Sequence, residues 1–299
     1  MTIAMTQDAK VQEDARKPWF PRDRSLMWGA VLVAALVAAA YLRVFAKLVT
    51  DWWNIEDFSY GFLVPPFAAY VLWRKRARLL QTEIDPTWSG IVLVFFGLIV
   101  LLLGVYGSEL FLSRISFVIV LAGLVLGFGG GKLLREMRFA LLVLVLAIPI
   151  PAIVFAQITL PLQFLASKLA SALLPLFGVP VLREGNVIEL PAMSLEVAEA
   201  CSGIRSLMSL LTLAVFYGYF LERPMWQRIA LAIASVPIAI AANAVRLLGT
   251  GLCVQYWDPE KAMGFFHEFS GWVIFLVSLV CLVVVDRVFC LFPFKRRLA

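Results

Sequence analysis

Very little in this sequence belongs to a soluble domain. No polar stretch is long enough to fold by itself, so the chain reads as one body. It has a single histidine, and its four cysteines are scattered without a CxxC pair or metal-ligand spacing. That scatter argues against a thiol-held metal, and neither metal nor cofactor is expected. It also leaves a thiol-disulfide oxidoreductase short of a second thiol, since only Cys253 falls at a depth similar to Cys201. Cys253, Cys281 and Cys290 read as simple apolar residues. No short apolar core with a small-residue cleavage site opens the chain; the run "LMWGAVLVAALVAAAYLRVF" is span-length. Residues 1–26 therefore read as a disordered cytoplasmic tail rather than a cleavable signal.

What abounds is hydrophobicity. Apolar residues make up 62% of 299 positions, against roughly 45–50% in soluble domains. They come in blocks near the length that crosses a bilayer, about 20 residues each. The expected fold is an all-α polytopic membrane protein with about eight transmembrane helices, near 27–45, 59–73, 89–105, 111–128, 139–156, 202–221, 229–250 and 271–289. The membrane body is 27–290, followed by a basic tail, 291–299. Most of the 26 Lys and Arg residues lie before the first span, in "RKRAR", in "GGGKLLREMR", in "LERPMWQR" and near the C-terminus. These stretches alternate along the chain onto one side. Positive charge marks the cytoplasmic side, so both termini are expected inside. The net charge of +6 is a topology signal, and nucleic acid is not an expected partner.

Two stretches depart from plain spans. "NIEDFSYGFLVPPFAAYVLWRKR" opens as an acidic outer loop and continues into a short span broken by Pro65 and Pro66. Proline frees backbone carbonyls that neighbouring helices or water then satisfy, so this is either a kinked packing helix or the rim of a substrate groove. Residues 157–200 begin as an amphipathic stretch, read as an interfacial helix on the outer surface. "VPVLREGNVIELPAMSLEVAEA" then alternates apolar and polar residues around "EGN", a short hairpin signal. This outer segment ends at Cys201.

Ionisable groups in a membrane are expensive unless paired, and each is a candidate functional residue. By the topology above, Cys201 at the start of the sixth span, Arg246 near the outer end of the seventh and His267 just before the eighth share one depth. A thiolate is a nucleophile favoured by a helix N-terminus or a nearby cation. An imidazole can take the thiol proton and return it to a leaving amine. A guanidinium can hold an oxyanion. Those are the parts for acyl transfer on a peptide bond. Glu199, Arg205, Asn243 and Glu268 flank them as supporting or substrate-binding candidates. Three roles stay open for Arg205: packing, pairing with an outer carboxylate, or tuning the field at Cys201.

Each residue also has an ordinary reading: a buried thiol, a histidine bonded to a loop carbonyl, an arginine snorkelling to headgroups. Gly203, Gly249 and Gly271 read as generic helix-packing residues that favour no function. A transporter with an outer-side polar site is the rival from another class, and the broken Pro65-Pro66 span would suit it. It calls for polar residues running through to the cytoplasmic side, whereas Arg43, Arg205 and Arg246 all sit toward the outer half.

"FSYGFLVPPFAAYVLWRKR", "EACSGIRSL", "NAVRL" and "HEFSGW", in that order over about residues 40–290, resemble the exosortase/archaeosortase family. The resemblance implies an integral membrane cysteine transpeptidase or protease. Its partners would be membrane-anchored proteins with a C-terminal sorting signal: a short motif, commonly Pro-Glu-Pro, then a transmembrane helix and a basic cluster. It implies catalytic roles for Cys201, Arg246 and His267, at the outer face of a bacterial inner membrane. The archaeal branch tends to carry arginine in place of the histidine, so His267 is similar to the bacterial pattern. Many relatives read Ser-His-Gly where this chain has Ser59-Tyr60-Gly61, so no histidine role passes to Tyr60.

Overall fold

Backbone polar groups in a bilayer have to be satisfied within the chain, which favours helices almost everywhere. The computed structural model describes residues 24–197, 203–257 and 265–291. Its helices are α1 (Arg24–Asn54), α2 (Val64–Arg74), α3 (Arg76–Gln81), α4 (Trp88–Tyr106), α5 (Leu110–Val145), α6 (Ala152–Leu173), α7 (Ile204–Phe220), α8 (Met225–Tyr256) and α9 (Phe265–Leu291). A small sheet, β1 (Leu182–Glu184), β2 (Val187–Glu189) and β3 (Ser194–Glu196), stands between α6 and α7 in the chain. Among the described residues six helices are long and apolar enough to cross a membrane, and α7 is a shorter apolar one. The chain is thus a predominantly helical, polytopic membrane protein. It divides into two compact units, residues 1–50 with 68–145, and residues 51–67 with 146–299.

In the first unit α4 and α5 form a hairpin closed on glycine. Gly90, Gly97 and Gly104 recur every seventh residue, and a Cβ on Gly90 would stand 2.1 Å from the backbone of Gly127. Without a hydrophobic drive between helices in lipid, such close approach supplies the dispersion contact that holds them. Tyr41 of α1 is fully buried and shares a 2.9 Å hydrogen bond with the Ser116 hydroxyl. At the basic end, the Lys75 ammonium donates to the Glu136 carbonyl at 2.8 Å and lies 3.2 Å from its carboxylate. "GGGKLLREMR", expected as a connecting loop, is helical. The chain bends inside α5 at Gly130, which takes φ 80°.

The second unit carries the motifs. Its entry segment runs through a 3-10 turn at Glu56–Leu63 before α2 begins. The Trp52 indole donates to the Ala147 carbonyl at 2.8 Å. Phe58 meets Phe155 of α6 edge-on, and Phe67 stacks on Phe216 of α7 with centroids 3.7 Å apart. Helix α6 continues into a 3-10 turn at Leu174–Phe177. The sheet then packs Ile188, Leu190, Leu195 and Val197 onto Ala166, Ala170 and Leu174, and onto Leu247 and Val254 of α8. A second cluster joins Leu210 and Ala214 of α7, Leu231 and Ala239 of α8 and Leu282 of α9.

Several expectations change. The span placed at 139–156 is interrupted, because α5 stops at Val145 and α6 starts at Ala152. Pro149 and Pro151 lie in that gap, and proline has no N–H to continue the ladder. The amphipathic stretch from 157 belongs to α6, which with the 3-10 turn after it is one of the six candidate spans by length and composition. The hairpin forms as expected, with Glu184 opposite Val187 and Gly185 at φ 64° in the turn. It carries a third strand that was not expected. The tails, 1–23 and 292–299, lie outside the described residues.

Candidate active site

Of the seven residues singled out by sequence, Cys201 and Glu199 lie outside the described residues. His267 and Glu268 fall in the first turn of α9, and their side chains are likewise outside the description. Arg205, Asn243 and Arg246 are described in full. The site is therefore defined by what surrounds Cys201 in the chain and by the contacts of α8.

On the N-terminal side the chain is fixed up to Val197. The Val197 N–H donates to the Asn186 carbonyl at 3.0 Å, and the Asn186 amide donates back to the Val197 carbonyl at 3.3 Å. The Ser167 hydroxyl of α6 donates to the Gly185 carbonyl at 2.9 Å, tying the hairpin turn to α6. On the C-terminal side, Gly203 is the cap residue before α7, with φ 80°. A Cβ built there would come within 2.9 Å of Cβ and Cγ of Asn243. Only glycine takes that backbone without strain while lying so close to α8.

Asn243 is buried, and Arg246 stands three residues on along α8. Residues three and four apart share a helix face. The Arg246 guanidinium reaches α9, where a Cβ on Gly271 would stand 3.4 Å from Nη2 and 3.5 Å from Cζ. Gly271 in turn is four residues after His267 on α9, again one turn on the same face. One face of α8 thus meets the start of α7 through Asn243 and the first turns of α9 through Arg246. Gly203 and Gly271, expected as neutral packing residues, are the two contact points. Gly249, expected to pack against a neighbouring helix, has nothing within 4 Å of a built Cβ, so it is not a packing residue.

Arg205 points elsewhere. Its Nη1 lies 2.6 Å from the Glu56 carboxylate, and its Nε donates to Asp57 Oδ1 at 2.9 Å. Of the three roles left open by sequence, pairing with a carboxylate is the one observed. At the other end of α7, the fully buried Asp286 of α9 receives Arg223 Nε at 2.9 Å and Nη2 at 2.6 Å, and the Tyr217 hydroxyl at 3.2 Å. Among the described residues no group of three or more His, Cys, Asp or Glu could hold a metal ion.

The family model described as "Transmembrane exosortase (Exosortase_EpsH)" matches residues 52–284. The chain belongs to the transmembrane exosortase family. Membership implies a multi-pass membrane peptidase or transpeptidase acting on protein substrates. The match begins at Trp52, the residue whose indole ties the entry segment to Ala147. It therefore covers the acidic pair, the sheet, α7, α8 and most of α9. No curated protein and no solved structure matches the chain.

Proposed function

We propose that the protein is a cysteine transpeptidase or protease that cleaves C-terminal sorting signals of exported proteins at the outer face of the bacterial inner membrane. In this reading His267 takes the Cys201 proton and the thiolate attacks the scissile carbonyl carbon. Arg246 holds the oxyanion. His267 then returns the proton to the leaving amine, which departs with the substrate's own transmembrane helix and basic tail. The resulting thioester is resolved by water or by another nucleophilic acceptor. The substrate presents its motif where its helix leaves the bilayer, and a nucleophile at that depth needs no soluble domain to meet it.

One observation carries the reading. Gly203, two residues after Cys201, lies against Asn243, while Arg246, on the same face of α8, lies against Gly271, one turn after His267. Three of the four stretches that carry the family resemblance therefore adjoin around one helix. The test is co-expression with a membrane-anchored reporter ending in a Pro-Glu-Pro motif, a helix and a basic cluster, followed by its size. Cys201→Ala and Cys201→Ser are expected to leave the reporter at full length. Processing by either at the wild-type rate removes Cys201 as nucleophile.

A further inference from the structure

The acidic pair at the start of the entry segment has no place in the chemistry above, yet it grips the helix that begins beside Cys201. Glu56 and Asp57 sit on a 3-10 turn whose Phe58, Tyr60 and Gly61 are buried. Phe58 of the turn meets Phe155 of α6, and the chain is held just before it by Trp52 to the Ala147 carbonyl and just after it by Phe67 stacked on Phe216 of α7. From this mount the two carboxylates hold Arg205, in the first turn of α7, at 2.6 and 2.9 Å. Asp57 is the deeper anchor, its side chain 15% exposed against 76% for Glu56. Helix α7 thus meets the stretch 56–67 at both ends, through a ring stack near its C-terminus and an ionic fork at its N-terminus. A fork to two carboxylates suits a planar guanidinium and fixes orientation as well as distance.

We propose that Glu56 and Asp57 are positioning residues that, through Arg205, fix the start of α7 and so set where the Cys201 nucleophile stands. The proposal deepens the function proposed above and rests on Cys201 being the nucleophile. It also assigns Arg205 a charge role opposite to the obvious one. A cation one turn beyond a thiol would ordinarily favour the thiolate, but two carboxylates against one guanidinium leave this cluster net negative. Arg205 ties down the start of α7, and the two carboxylates mask its positive charge.

The experiment uses the full-length protein with Cys253, Cys281 and Cys290 replaced by Ser, reconstituted in lipid with the membrane-anchored reporter. For each variant, kcat and KM for processing are measured alongside the rate of iodoacetamide alkylation of Cys201. Glu56→Gln with Asp57→Asn releases the fork and uncovers the cation. Processing kcat is expected to fall about tenfold or more with KM nearly unchanged, while alkylation speeds up about twofold. Arg205→Gln releases the same fork but leaves two bare carboxylates, so kcat falls comparably and alkylation slows. A merely structural contact would not drive alkylation in opposite directions. The swap Asp57→Arg with Arg205→Asp restores an ionic tie and is expected to regain part of the kcat lost by either change alone. Wild-type kcat in the fork variants, alkylation moving the same way in both, or no recovery in the swap overturns the proposal. If Cys201→Ala itself still processes the reporter, the nucleophile assignment has failed. If Cys201→Ala is dead and the fork variants run normally, only the positioning role has failed.

Discussion

Gly203 shows how much can depend on a missing side chain. Its φ of 80° is open to glycine and strained for other residues, and its Cα faces Asn243. Gly203→Ala adds a methyl 2.9 Å from the Asn243 side chain in a backbone that alanine avoids. The strain alone is of order 1–3 kcal/mol. Loss of both thermal stability in detergent and reporter processing is expected. Gly271→Val puts bulk where the Arg246 guanidinium now lies, and is expected to reduce processing about tenfold or more while the protein still folds. Gly249→Ala is the contrast: with nothing near its Cβ, it gains helix propensity worth up to about 1 kcal/mol and leaves processing unchanged. A thermal melt and a processing rate for the three variants check the set together. In a single sequence these glycines are alike, because what separates them is the helix each one faces.

At the scale of elements, the spans were legible where the hydrophobic run was uninterrupted, as in α4. They were misread where proline and glycine act inside an apolar run. Pro149 and Pro151 break the chain between α5 and α6, although hydropathy alone runs straight across. Gly130 bends α5 without ending it, so a basic segment that reads as a loop is helix. The hairpin was legible from alternation around Gly185-Asn186. The third strand was not, since Ser194–Glu196 is too short to show a period and exists by pairing with β2. The Arg205 fork was half legible: the carboxylates lie 148 residues upstream in the case of Asp57, and only the fold joins them. The Asp286 tie makes a prediction of its own. Asp286→Ala strands Arg223 and the Tyr217 hydroxyl and is expected to destabilise the protein by about 1–3 kcal/mol. Tyr217 lies roughly 20 Å along α7 from its first residue, at 1.5 Å per residue. Processing per folded molecule is therefore expected to stay near wild type. Melting temperature measured beside a folded-fraction-corrected rate separates the two effects.

For the whole molecule, orientation is expected from the charge pattern of the sequence. The basic segments argue that both termini are cytoplasmic and that the sheet before Cys201 is extracytoplasmic. A fluorescent protein fused after Ala299 is expected to fluoresce, and alkaline phosphatase inserted at the Gly185-Asn186 turn to be active. The opposite pattern would put the motif stretches on the wrong side to meet an exported substrate.

The thioester at Cys201 can be caught. The purified protein is mixed with the membrane-anchored reporter, quenched in acid at early times and analysed intact by mass spectrometry. A transient adduct is expected, equal in mass to the reporter's N-terminal product less one water, attached at Cys201, released by neutral hydroxylamine and absent from Cys201→Ala. Processing that proceeds at full rate without that adduct at any time, or with the adduct on another residue, would contradict it.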